Sequence, residues 1–74
     1  MEDLKQIFKN INKEYINENM DNLIDNGDLD SMDIMILIAE IEKFYKKPLK
    51  SDFIKMENFK NFQSIKKMIK EGIN

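Results

Sequence analysis

The 74-residue chain has no cysteine, no histidine and no arginine, with a single proline and two glycines. Without cysteine there is no disulfide, no thiolate nucleophile and no Cys-rich zinc site. Without histidine the usual general base and the commonest metal ligand are missing. Most enzyme chemistry is thereby removed, and the chain is not expected to be an enzyme. Long apolar runs are absent too. The longest, Ile34 to Ala39, is six residues, against roughly 20 needed to cross a bilayer. Met1 is followed at once by Glu2 and Asp3 rather than by a basic and then apolar leader, so a cytoplasmic location is expected. One domain over residues 1–74 accounts for the length. A chain this short buries only about 60% of the surface it exposes when unfolded.

What is present is charge, and it is unevenly placed. The formal net charge is −2, but Glu18, Asp21, Asp25, Asp28, Asp30 and Asp33 crowd the stretch 17–33, which has no lysine. Eight of the lysines lie from Lys46 onward, against Asp52, Glu57 and Glu71. A net acidic chain without arginine is a poor match for phosphate backbones, so no nucleic-acid partner is expected. Either the two segments partly neutralise one another, or the acidic one meets a basic partner protein.

Leu4, Ile7, Phe8, Ile11 and Tyr15 recur at spacings of three and four and predict an amphipathic helix over 3–16. Residues 17–29 carry Asn, Asp and Gly27, with Met20, Leu23, Ile24 and Leu29 as apolar anchors, and predict a long loop docked on the core. Asp30 is the expected N-cap of the strongest helix, over 31–46, with Asp33 completing a capping box. Pro48 is expected to stop it. One or two short turns follow over 51–59, then a last helix over 64–70 that Gly72 ends. Ser51 and Ser64 read as caps. No segment alternates with period two, so the prediction is all-α. Leu4, Phe8, Ile11, Leu37, Ile41, Phe44, Ile65 and Ile69 are the expected core.

The central helix is apolar on more than one side. Ile34, Leu37, Ile38, Ile41, Phe44 and Tyr45 share one broad face at 100° per residue. Met32, Met35, Ile36 and Ala39 fall on a second arc, beside a narrow polar strip of Asp33, Glu40 and Lys43. Two readings stand side by side. The helix is buried nearly all round, or the second arc is a contact surface whose methionines repack against several partners.

Asn22 to Asp33 resembles a calcium loop only faintly. Asn22 replaces the first Asp, Ile24 stands at a ligand position, and Asp33 is shorter than the usual closing Glu. No metal site is expected. Ser31 stands out instead: it opens the best helix, follows a glycine-containing acidic loop, and is flanked by Leu29 and Met32.

Gly27-Asp28-Leu29-Asp30-Ser31-Met32, followed by Ile38-Ala39-Glu40-Ile41-Glu42-Lys43-Phe44-Tyr45, resembles the acyl and peptidyl carrier proteins over almost the whole chain. The resemblance implies one carrier domain over 1–74, a four-helix bundle of the acyl-carrier type with three main helices and one short one. It implies a 4′-phosphopantetheine arm, donated by coenzyme A, on Ser31, whose thiol holds an acyl or aminoacyl thioester. The implied partners are a phosphopantetheinyl transferase, a loading ligase or synthetase, and a downstream acyltransferase or synthase. Ile36 and Lys43 stand where fatty-acid carriers are commonly acidic. Gly27-x-Leu29-Asp30-Ser31-Met32, Ser51-Asp52-Phe53 and Glu57-Asn58-Phe59 look closer to the D-alanyl carrier and to discrete carriers loaded by ATP-dependent ligases. The cargo could thus belong to fatty-acid, D-alanine or natural-product transfer.

A helix N-terminus favours a phosphodiester through its free N–H groups and dipole, although Asp30 and Asp33 oppose it. No residue here can activate the Ser31 hydroxyl, so a separate enzyme must modify it. Partner recognition is expected from Asp28, Asp30, Met32, Asp33, Met35, Ile36 and Ala39, on a monomer that is not membrane-inserted. The alternative from another class is an unmodified helical interaction module that uses Met32, Met35, Ile36 and Ala39 to bind a partner helix.

Overall fold

A computed structural model of the chain describes residues 2–73. Three α-helices, α1 (Glu2–Asn10), α2 (Ser31–Tyr45) and α3 (Phe62–Gly72), are joined by the loop 11–30 and by two 3₁₀ turns, Ser51–Phe53 and Met56–Phe59. Strands are absent among the described residues, as the lack of any period-two segment predicts. No helix among them is long and apolar enough to cross a membrane.

α1 stops earlier than its apolar spacing predicts. Asn12 takes a left-handed conformation, φ 63°, which Asn tolerates better than most residues. The Asn12 and Lys13 N–H groups then turn back onto the Lys9 and Phe8 carbonyls at 3.1 and 2.8 Å. These two bonds satisfy helix-end carbonyls and close a Schellman turn. The chain past the turn sends Ile16 into the core and leaves Tyr15 exposed. Helical spacing persisted in the sequence after the helix itself had ended.

α2 begins where expected. The Asp30 carboxylate accepts from the Asp33 N–H at 2.8 Å, and the Asp33 carboxylate accepts from the Asp30 N–H at 3.0 Å. Its end comes at Lys46, again left-handed with φ 57°, two residues before Pro48. The Lys46 and Lys47 N–H groups both donate to the Glu42 carbonyl. The Glu42 carboxylate meanwhile takes the Leu49 N–H at 2.8 Å. Glu42 and Lys46 therefore turn the chain, and Pro48 follows a stop already made.

α3 is longer than predicted at both ends. Its cap is Asn61, whose side chain accepts from the Ser64 N–H at 2.8 Å. Ser64 lies inside the helix and Ser51 inside the first 3₁₀ turn, so neither is the cap it was expected to be. Gly72 is the last helical residue and has no left-handed backbone. A Cβ there would stand 2.7 Å from the Leu49 Cδ1 and 3.3 Å from the Phe53 ring. Close approach of the Leu49 and Phe53 side chains, not chain reversal, is what glycine accommodates there.

The core joins Leu4, Ile7 and Phe8 of α1 to Ile34, Leu37 and Ile41 of α2 and Phe62, Ile65, Met68 and Ile69 of α3. Ile16, Leu23, Leu29, Leu49 and Phe59 complete it from the connections. Ile11 and Phe44, expected in the core, are only half-buried at its edge. Phe8 and Phe62 stack with centroids 5.4 Å apart and link α1 to α3. α1 lies antiparallel to α2: Asn10 donates to Glu40 at one end, and the Tyr45 hydroxyl donates to Asp3 at the other.

Candidate functional site

The loop before α2 is fixed by its own backbone and by the two residues that precede α3. The Leu23 N–H donates to the Lys60 carbonyl at 2.9 Å, and Asn61 donates to the Asp21 carboxylate at 3.0 Å. Leu23 in turn accepts from the Asp28 and Leu29 N–H groups. Gly27, at φ 82°, makes the reversal that allows this, since a side chain there would be strained. Buried Leu23 and Leu29 anchor both sides of the turn, so α2 starts at a defined place.

Ser31 is the first residue of α2 and is exposed. Its neighbours do the capping: Asp30 and Asp33 exchange the two side-chain bonds of the box. That box uses the N–H groups of Asp30 and Asp33, leaving those of Ser31 and Met32 as the unpaired donors of the first turn. The Ser31 hydroxyl thus lies at the positive end of a 15-residue helix with no cap to hold.

Beyond Ser31 runs the second arc, and it faces outward. Met32 and Met35 are 69% and 70% exposed and Ile36 49%; Ala39 is exposed as well. These residues lie opposite Ile34, Leu37 and Ile41, which are buried. α2 is not buried all round. Single apolar side chains on a surface are common; four on one stripe of one helix form a patch.

The acidic residues are less free than their sequence crowding suggests. Lys13 reaches Asp33 at 3.5 Å and lies over the Tyr15 ring, 5.9 Å from its centroid. The Tyr15 hydroxyl meets the Asp28 carboxylate at 3.3 Å. The Asp30 N–H holds the Asp33 carboxyl below its ordinary range; burial opposes it, and Lys13 adds a further lowering. Asp28 and Asp33 are half-buried, while Asp30 is exposed. Lys13 and Tyr15 were missed as site residues because the helix predicted over 3–16 placed them on α1. The two ion pairs among the described residues use Lys5 and Lys13. The lysines from Lys46 onward take no part in these contacts, but Lys60 acts at longer range: the Asn22 N–H, then Asn61, and then Lys60 hold the Asp21 carboxyl below its ordinary range, against an opposing effect of burial.

Among the described residues no three carboxylates gather as a metal ion would require. Two surface clefts lie away from Ser31. One is lined by Ile24, Asp25, Met56 and Lys60, and another by Tyr45, Lys66, Ile69 and Ile73 at the far end of α2. Ser31 lines neither. The arrangement offers a reachable hydroxyl beside an apolar stripe, suited to being acted upon by a larger protein. No family model, curated protein or solved structure matches the chain.

Proposed function

We propose that this chain is a carrier protein, a bundle of the acyl-carrier type in which the 3₁₀ turns take the place of the short helix. Ser31 would bear a 4′-phosphopantetheine arm whose thiol holds an acyl or aminoacyl group as a thioester. The observation that carries the reading is the position of Ser31, exposed at the first turn of α2 and released from capping by Asp30 and Asp33. The unpaired N–H groups of Ser31 and Met32 suit a phosphodiester on that hydroxyl. The arm supplies the thiol that a chain without cysteine lacks.

Attachment requires a second enzyme, because no base lies on Ser31. The Ser31 oxygen forms a bond to phosphorus, the pyrophosphate bridge of coenzyme A breaks, and adenosine bisphosphate leaves. The hydroxyl proton passes to the transferase. Met32, Met35, Ile36 and Ala39 would meet the transferase and the loading ligase, with Asp30 at the edge of that contact. Asp28 and Asp33 act chiefly by fixing the loop and the cap.

Intact mass after incubation with coenzyme A and a broad-specificity phosphopantetheinyl transferase tests this. The wild type should gain one arm and Ser31→Ala none. A wild type that stays unmodified while a known carrier is loaded in the same tube overturns the proposal. The exposed stripe favours one other reading, an unmodified module that binds a partner helix through Met32, Met35, Ile36 and Ala39. Partner capture that is equal for wild type and Ser31→Ala, without any mass gain, would identify it.

A further inference from the structure

Five of the six methionines lie in the described residues, and their surroundings differ sharply. Met68 is 2% exposed in the core, Met20 is half-buried and Met56 is 52% exposed on the second 3₁₀ turn, whereas Met32 and Met35, at 69% and 70%, are the two most exposed large apolar side chains among the described residues. They stand three residues apart, so their side chains are neighbours on one face of α2. With no cysteine in the chain, thioethers are its only oxidisable sulfur. We infer that Met32 and Met35 form an oxidation site that turns the outward stripe of α2 from apolar to polar without disturbing the fold. The consequence for partner docking rests on the carrier reading above.

The chemistry is a two-electron oxygen transfer from hydrogen peroxide. The Met sulfur lone pair attacks one peroxide oxygen, the O–O bond breaks and an S–O bond forms. The other oxygen leaves as water with both peroxide protons. Sulfur is oxidised and peroxide reduced. Sulfoxide reductases reverse the step with thiol electrons, one enzyme for each epimer. A sulfoxide is polar and a strong acceptor, so on the outer stripe it removes apolar contact area. The same change at Met68 would open the core. Exposure therefore separates a reversible surface change at Met32 and Met35 from structural damage at Met68.

The test treats the full chain with graded hydrogen peroxide. Peptide mapping should place the first oxygens on Met32 and Met35, ahead of Met56 and well ahead of Met20 and Met68, with helicity by circular dichroism unchanged. Hydrophobic-interaction retention should fall by similar amounts for the wild type and for Met56→Leu, and by much less for Met32→Leu/Met35→Leu. Each protein is compared with its own untreated sample. Transferase kcat/KM should fall about tenfold in the wild type on oxidation, equivalent to roughly 1.4 kcal/mol of lost apolar contact. Simultaneous oxidation of Met68, loss of helicity at the first oxygens, or an equal retention change in the double variant would overturn the inference. If the untreated wild type accepts no arm, the carrier reading fails, while oxidation order and retention still decide this one.

Discussion

α2 carries ten apolar residues in 15 positions and α3 four in 11, and the two helices use them differently. Phe62, Ile65, Met68 and Ile69 of α3 all go inward, and its lysines cover the outside. α2 buries Ile34, Leu37 and Ile41 and still presents Met32, Met35 and Ile36 to solvent. An amphipathic helix such as α3 is explained by its own packing. The outer stripe of α2 is not, because the core is complete without it. Apolar surface beyond what folding needs is where an interaction is to be sought.

The largest contrast is between the two faces of α2 itself. Leu37→Ala should destabilise by about 2–5 kcal/mol, since Leu37 is fully buried and its loss leaves a cavity. A domain this small has stability on the order of 5 kcal/mol, so that variant should be largely unfolded in urea where the wild type is native. Met35→Glu should shift stability by less than about 0.5 kcal/mol and yet slow arm transfer. Equal denaturation midpoints for the two variants would break the distinction between the faces. A transferase rate for Met35→Glu equal to that of the wild type would remove the stripe from recognition.

Parts of this architecture were legible in the sequence for local reasons. The capping box at Asp30 and Asp33, the anchors Leu23 and Leu29, and the two sides of α2 depend on neighbours within a few residues. The end of α1 was not legible, because Ile11 and Tyr15 keep helical spacing while Asn12 reverses the chain. Phe59 and Leu49 were missed in the core because 3₁₀ turns and links have no apolar period to read. The pairing of Lys13 with Asp33 and of Tyr15 with Asp28 depends on that reversal and could not be seen before it. The exposed hydroxyl of Ser31 was foreshadowed by placing Asp30 in the cap.

Gly72→Ala probes the end of α3 at intermediate size. Its new Cβ would press on Leu49 and Phe53, and overpacking of this kind costs about 1–3 kcal/mol. Leu49→Ala removes the nearer side chain it presses on, so Gly72→Ala should cost less in a Leu49→Ala background than in the wild type. A Gly72→Ala variant as stable as the wild type would mean that the link between α2 and α3 yields freely. Asp30→Ala should then cost about 1 kcal/mol, the usual value of a lost cap. Ser31→Ala, one residue further on, should leave the melting temperature nearly unchanged, because alanine is favourable at that position. Thermal melts of the two variants side by side check the division of labour between cap and exposed hydroxyl. Equal losses would mean that Ser31 shares in the cap.

The smallest effect concerns Asp33, which joins the cap of α2 to the segment after α1. Its carboxyl is held below the ordinary range by the Asp30 N–H and then by Lys13. A group whose pKa is lower folded than unfolded adds stability above its unfolded pKa, near 4 for Asp. That stability disappears as pH falls through the folded value, because protonation then occurs in both states. The melting temperature should therefore fall as the pH drops below about 4, and Asp33→Asn should show a shallower fall over the same interval. The Lys13 pair is partly exposed, with about a fifth of each side chain accessible, so its share should be within about 1 kcal/mol and shrink with added salt. Lys13→Met should remove the salt-sensitive part and keep the part due to the Asp30 N–H. If Asp33→Asn and the wild type lose stability in parallel on acidification, the capping box does not distinguish the charged carboxylate from its amide, and other carboxylates set the acid limit of the fold.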